Sequence, residues 1–138
     1  MLEFNLFLID YWYFSVPLFF FLFLFAYSEM NKGGKKIEPN ELTRLVNKES
    51  AILIDLRKKE DYENGHIMTA LNYPHQEFDN QMHELEKFKD RPIILVCDMG
   101  RNSANIGEKL KKAEFKETFR LNGGMMTWTQ ENLPVVQK

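Results

Sequence analysis

One cysteine stands in this chain of 138 residues, and its neighbours make it a candidate for chemistry. Cys97 heads the stretch Cys97-Asp98-Met99-Gly100-Arg101-Asn102-Ser103, directly after the apolar run Pro92-Ile93-Ile94-Leu95-Val96. By type alone a cysteine is a small buried hydrophobe. Its context here predicts more: the apolar run reads as a strand, and Ile106, Leu110 and Ala113 recur at the spacing of one helix face. Strand, thiol loop and helix in succession gather backbone N–H groups and the positive end of a helix in one concavity. Such a concavity favours both a thiolate and the anions it attacks. Gly100 permits a tight turn, Arg101 is the predicted anion contact, and Asn102 and Ser103 are predicted secondary donors at the helix start. Met99 and Met126 are candidate lining for an apolar rim. Asp98 acts the other way, since a neighbouring carboxylate favours the neutral thiol; a thiolate is expected only where Asp98 points out of the pocket.

The elements that position this loop can be read on either side of it. Pro39–Asn47 predicts a helix with Leu42, Leu45 and Val46 on one face, and Ala51–Leu56 predicts a strand buried on both faces. Lys58–Asn64 predicts a short helix closed by Gly65, and Ala70–Pro74 a short strand. Glu77–Phe88, with Phe78, Met82, Leu85 and Phe88, predicts a helix. After the thiol loop come a helix over Ser103–Ala113, a strand over Glu117–Leu121, a sharp turn at Asn122-Gly123-Gly124, and a last helix over Met125–Asn132 with Trp128 packed inward. Alternating strands and helices imply an α/β fold with a mostly parallel sheet covered on both faces by right-handed crossovers. Ligands bind such sheets beyond the carboxyl ends of the strands, where Cys97 falls.

The first 28 residues have a different character. Tyr11–Ser28 is eighteen residues without a charge, extended toward the start by Phe4–Ile9, with Tyr11, Trp12, Tyr13 and Tyr27 near its ends. This predicts a transmembrane anchor over 1–28. Glu3 and Asp10 precede the uncharged span and Lys32, Lys35, Lys36 and Arg44 follow it, which predicts a single pass through the cytoplasmic membrane with the C-terminal side in the cytoplasm. Ala26-Tyr27-Ser28 offers a signal-peptidase pattern, but a basic segment before the apolar run is missing. Residues 29–36 predict a flexible linker and 37–138 a single domain. Beyond residue 28 the chain carries 18 basic and 18 acidic side chains, a balance that argues against nucleic acid as a partner. One unpaired thiol suits a reducing compartment.

Asp55 and Arg57 bracket the end of a strand, where ion pairing would fix loops, and His66 reads as structural. His75 and His83 lie in polar surroundings and, with one cysteine, form no metal-ligand pattern; no metal or organic cofactor is implied.

Three ordered blocks carry a family resemblance: Ile54-Asp55-Leu56-Arg57 with Tyr62-Glu63-Asn64-Gly65-His66-Ile67 and Ala70-Leu71-Asn72-Tyr73-Pro74; Cys97-Asp98-Met99-Gly100; and Leu121-Asn122-Gly123-Gly124 with Trp128 and Leu133-Pro134. Over residues 37–136 the chain resembles rhodanese homology domains, and it is similar to the small membrane-anchored bacterial members. The resemblance implies a five-stranded parallel sheet with helices on both faces, Gly124 and the Asp55–Arg57 and His66 block near the site, and sulfur transfer through a persulfide on Cys97. A sulfur donor such as thiosulfate and an acceptor such as cyanide or a thiol would be the small partners. Many members place arginine at the sixth loop position, here Asn102, whereas this chain has Arg101 at the fifth. The phosphatases that share the fold need arginine six residues after the cysteine, where this chain has Ser103. The alternative role is a membrane-held interaction module, with a membrane protein as partner and weak or no catalysis.

Overall fold

Ile93–Val96, a run of branched apolar residues, is fully buried at the centre of the sheet in the computed structural model, which describes residues 1–137. Calling it β4, the strands are β1 (Lys35–Ile37), β2 (Ile52–Asp55), β3 (Leu71–Asn72), β4 and β5 (Thr118–Leu121). They pair in the order β1-β5-β4-β2-β3, and every pairing is parallel. The helices are α1 (Leu2–Asp10), α2 (Trp12–Met30), α3 (Pro39–Lys48), α4 (Lys59–Asn64), α5 (Phe78–Gln81), α6 (Arg101–Lys112) and α7 (Gly124–Gln130), with a 3-10 segment over Met82–Phe88.

Side chains that alternate along the strands divide the core into two layers. Leu53, Ile94, Val96 and Leu121 pack with Leu42 and Leu45 of α3 and Met125 and Trp128 of α7. Ile54, Ile93, Leu95 and Cys97 pack with Phe78, Leu85, and Ile106 and Leu110 of α6. The thiol therefore lies on the α6 side of the sheet, just past the carboxyl end of β4.

Several element bounds depart from the sequence expectation. β1 falls in the stretch read as linker, and its neighbours are fastened: Gly33 N–H donates to Glu108 Oε1 at 2.6 Å, and Arg120 Nε donates to Gly34 O at 3.1 Å. The expected helix over Glu77–Phe88 is a single α turn followed by a 3-10 segment, since Met82, Leu85 and Phe88 repeat every three residues, the 3-10 period. Gly65 ends α4 at φ 167°, an extended conformation and not a left-handed cap.

Residues 1–31 form a separate compact unit. Two helical segments, α1 and α2, meet at Tyr11 in place of one continuous apolar helix. α2 is long and apolar enough to cross a membrane.

Candidate functional site

The thiol loop is shorter than its sequence outline. Gly100, at φ 89°, is the N-cap of α6, so Arg101, Asn102 and Ser103 are the first turn of that helix. A left-handed turn here is why glycine stands at position 100. The Cys97 side chain is 2% exposed, and its Sγ accepts the Gly100 N–H at 2.9 Å.

The loop is also held from behind. Met125 N–H donates to Cys97 O at 2.8 Å and Met126 N–H to Asp98 O at 3.0 Å. In a planar trans peptide the N–H points opposite to its carbonyl, so fixing these two oxygens toward α7 turns the Asp98 and Met99 amides to the other side, where Sγ lies. Gly124, at φ 59°, makes the approach fit: a Cβ there would fall on Cys97 O and within 2.9 Å of the Asp98 carbonyl. Together with Gly100 N–H and the α6 terminus, these amides form a concavity suited to negative charge on sulfur.

Cys97 opens into a pocket of about 180 Å³ lined by Leu56, Arg57, Lys58, Asp61, His75, Asp98 and Asn102. Asp98 borders this pocket and is exposed, so solvent screens its carboxylate while its amide belongs to the loop. The cations here are Arg57 and Lys58. Arg101 is exposed in the first turn of α6 and lines neither this pocket nor the smaller one behind the loop. Asn102 does line the thiol pocket. Ser103, six residues after Cys97, is buried and donates its hydroxyl to Gly100 O at 2.8 Å, which braces the turn. Met99 and Met126 are exposed near the loop.

Asp55 and Arg57 form a buried pair. Arg57 Nη2 donates to Asp55 Oδ2 at 2.8 Å and to Gly65 O at 2.6 Å, and Nε donates to Oδ1 at 3.1 Å. This ties the end of β2 to the end of α4 and sets one pocket wall. His66 lies away from that pocket, stacked on Tyr62 at 3.8 Å with Nδ1 on Tyr62 O. Tyr62 donates to Ala70 O at 2.6 Å, and burial together with the Asp55 charge pushes its phenol up.

Lys58, His75 and Arg120 were not legible as residues of the site. His75, read as an unremarkable polar position, lines the thiol pocket, and its Nδ1 donates to Leu56 O at 3.3 Å. Arg120 is 5% exposed on the α6 side of β5, beside Leu95. Burial pushes its guanidinium pKa down, and the charges of Cys97 and Glu108 push back. Its signal in the sequence was a charge within the apolar run Thr118–Leu121. No cluster of three or more His, Cys, Asp or Glu able to hold a metal occurs among the described residues.

The profile of the Rhodanese-like domain family matches residues 38–131, most of the chain. The chain belongs to the rhodanese-like family. It is 38% identical over 113 residues to the uncharacterized protein YibN of Escherichia coli K12, covering 81% of this chain and 79% of that protein. It is 30% identical over 94 residues to the thiosulfate sulfurtransferase GlpE of Coxiella burnetii, covering 68% and 86% respectively. Among solved structures, a rhodanese-related protein of Thermoplasma volcanium superposes with a TM-score of 0.68 at 24% identity, over 75% of this chain and 99% of that one. The rhodanese-like five-stranded fold thus has independent support from sequence and shape.

Proposed function

We propose that this rhodanese-like domain is a sulfurtransferase that carries sulfane sulfur on Cys97, taking it from a donor of the thiosulfate type and passing it to cyanide or a thiol. The observation that carries this reading is the cradle at Cys97, with a backbone N–H on Sγ, two more amides turned to the same side and the α6 terminus behind them. Kinship with thiosulfate sulfurtransferases supports it.

The chemistry balances without a cofactor. The Cys97 thiolate attacks the outer sulfur of thiosulfate, the S–S bond of the donor breaks, and sulfite leaves with its electron pair. An acceptor nucleophile then attacks the outer sulfur of the persulfide, and Cys97 leaves as thiolate. Negative charge stays on sulfur within the cradle at both stages, so the same amides serve both. Arg57 and Lys58 on the pocket wall attract the anionic donor. The buried Arg120 adds positive charge on the Cys97 side of the sheet.

The apolar helix Trp12–Met30 would tether the domain to a membrane, with the lysines beyond it favouring a cytoplasmic face for the domain. Full-length protein in detergent, given thiosulfate and cyanide, should release thiocyanate in a Cys97-dependent reaction. Failure to release it, with the fold intact, would defeat the proposal.

A further inference from the structure

Behind the thiol loop lies a second pocket that the chemistry above leaves unused. It measures about 150 Å³, and Lys36, Met99, Gly100, Ser103 and Arg120 are among the residues that line it. The loop is the partition between the two spaces: Cys97, Asp98 and Asn102 border the thiol pocket, while Met99, Gly100 and Ser103 border the rear one. Among the described residues, no acidic side chain lines the rear pocket.

The charge on its wall follows from strand register. Lys36 of β1 is the direct partner of Arg120 of β5 in a parallel pairing, so the two cationic side chains leave the same face of the sheet, from strands about 4.8 Å apart. Like charges directly opposite on neighbouring strands repel. Arg120 is buried, and burial works against its positive charge. Its Nε donates to a neutral acceptor, Gly34 O, at 3.1 Å. Glu108 of α6 is the carboxylate whose charge acts on Arg120, and it also accepts the Gly33 N–H at 2.6 Å and lies 3.8 Å from Lys111 Nζ. Glu38, two positions after Lys36, accepts from Asn122 Nδ2 at 2.9 Å. One carboxylate shared with Lys111 leaves a surplus of positive charge at the pocket, and the start of the twelve-residue α6 at Gly100 adds to it. Lys36 is exposed, so an ion can enter from solvent. A small anion seated there meets both cations and relieves their repulsion.

We infer that the rear pocket binds a small oxyanion of the sulfite, sulfate or phosphate class between Lys36 and Arg120, and that its occupancy slows sulfur loading on Cys97. A negative charge on the far side of the loop opposes the negative charge that the cradle stabilises on Sγ, without entering the thiol pocket. Sulfite, the leaving group of thiosulfate, belongs to this class, so the site gives the reaction a product-sensitive brake. Binding stands without the sulfur-transfer reading above; the effect on loading rests on it.

The test uses full-length protein in detergent at constant ionic strength, comparing Lys36→Gln with Lys35→Gln. The two substitutions remove the same charge from adjacent exposed positions of β1, but Lys35 does not line the pocket. Inorganic sulfate, which transfers no sulfur, probes binding by calorimetry. It should bind wild type and Lys35→Gln alike and Lys36→Gln about fivefold more weakly, the scale of one ion contact. With thiosulfate well below its KM, the sulfate concentration that halves the loading rate should rise in Lys36→Gln and stay at the wild-type value in Lys35→Gln. Titrating unloaded protein with sulfite and with phosphate separates the sources: tighter sulfite makes the reaction product the occupant, tighter phosphate makes it an ion from outside the reaction, and either order supports the site. Equal sulfate affinity in wild type and Lys36→Gln, or equal losses in the two variants, would overturn the site. Binding that depends on Lys36 with inhibition that does not would overturn the brake. Absence of thiosulfate loading together with Lys36-dependent sulfate binding would instead defeat the sulfur-transfer reading and leave the anion site standing.

Discussion

Replacing Gly124 by alanine should uncouple the thiol loop from its support while leaving the sheet in place. The added Cβ would meet Cys97 O and come within 2.9 Å of the Asp98 carbonyl, at a residue whose φ is 59°. Holding alanine in that left-handed conformation costs about 1–2 kcal/mol. Relieving the clash separates α7 from the loop and loses the Met125 and Met126 N–H bonds to Cys97 O and Asp98 O, at about 1 kcal/mol each. The total, about 3–4 kcal/mol, corresponds to a fall in Tm of roughly 12–25 °C for a domain of this size. A loop shift of about 1 Å should slow persulfide formation by about 100-fold, because the amide cradle moves with it. The assay pairs thermal unfolding with the single-turnover rate of sulfur loading from thiosulfate. Gly65→Ala is the control: its φ of 167° is ordinary extended backbone and its Cβ would touch Val135 Cγ2 at 3.4 Å, so a change within about 0.5 kcal/mol is expected. Wild-type Tm and loading rate in Gly124→Ala would refute the view that close approach of α7 holds the loop.

Other perturbations test other parts of the site. Asp55→Ala leaves the Arg57 guanidinium without its buried carboxylate and should destabilise the domain by about 3–5 kcal/mol in denaturant unfolding; a loss under 1 kcal/mol would mean the pair contributes little. Lys58→Ala should raise the KM for thiosulfate by about 3–5-fold, the scale of a solvent-exposed ion contact, whereas Arg101→Ala should change it less than twofold. The reverse ranking would restore Arg101 as the anion contact. Tyr62→Phe removes a phenol whose pKa is raised in the fold, so the stabilising hydrogen bond to Ala70 O is present below the unfolded value and lost as pH rises through the folded one. The variant should be less stable than wild type by about 1 kcal/mol at neutral pH, and the gap should close above about pH 10. An unchanged gap at alkaline pH would contradict this.

The parts of the molecule that apolar pattern controls were legible in the sequence. β2, β4 and β5 are short apolar runs, α3 and α6 carry one apolar face each, and their order dictates a parallel sheet with Cys97 at a strand's carboxyl end. β1 was not legible, because an edge strand of three residues with two exposed lysines has a composition indistinguishable from linker. The site divides the same way. The Asp55–Arg57 pair and the Gly100 turn follow from local sequence. Arg101 does not border the thiol pocket, because α6 begins at that residue, two positions before the Ser103 start that a six-residue loop implies, and its side chain lies at the surface. His75 and Lys58 reach the thiol from segments that are distant in sequence, and Arg120 from a neighbouring strand; only the fold brings these together.

The central claim is that Cys97 carries sulfur, and intact-mass measurement tests it most directly. Full-length protein incubated with thiosulfate should gain one sulfur atom, lose it on addition of cyanide, and show neither change in Cys97→Ser. Unmodified wild-type protein under the same conditions, or equal sulfur uptake by Cys97→Ser, would contradict the account.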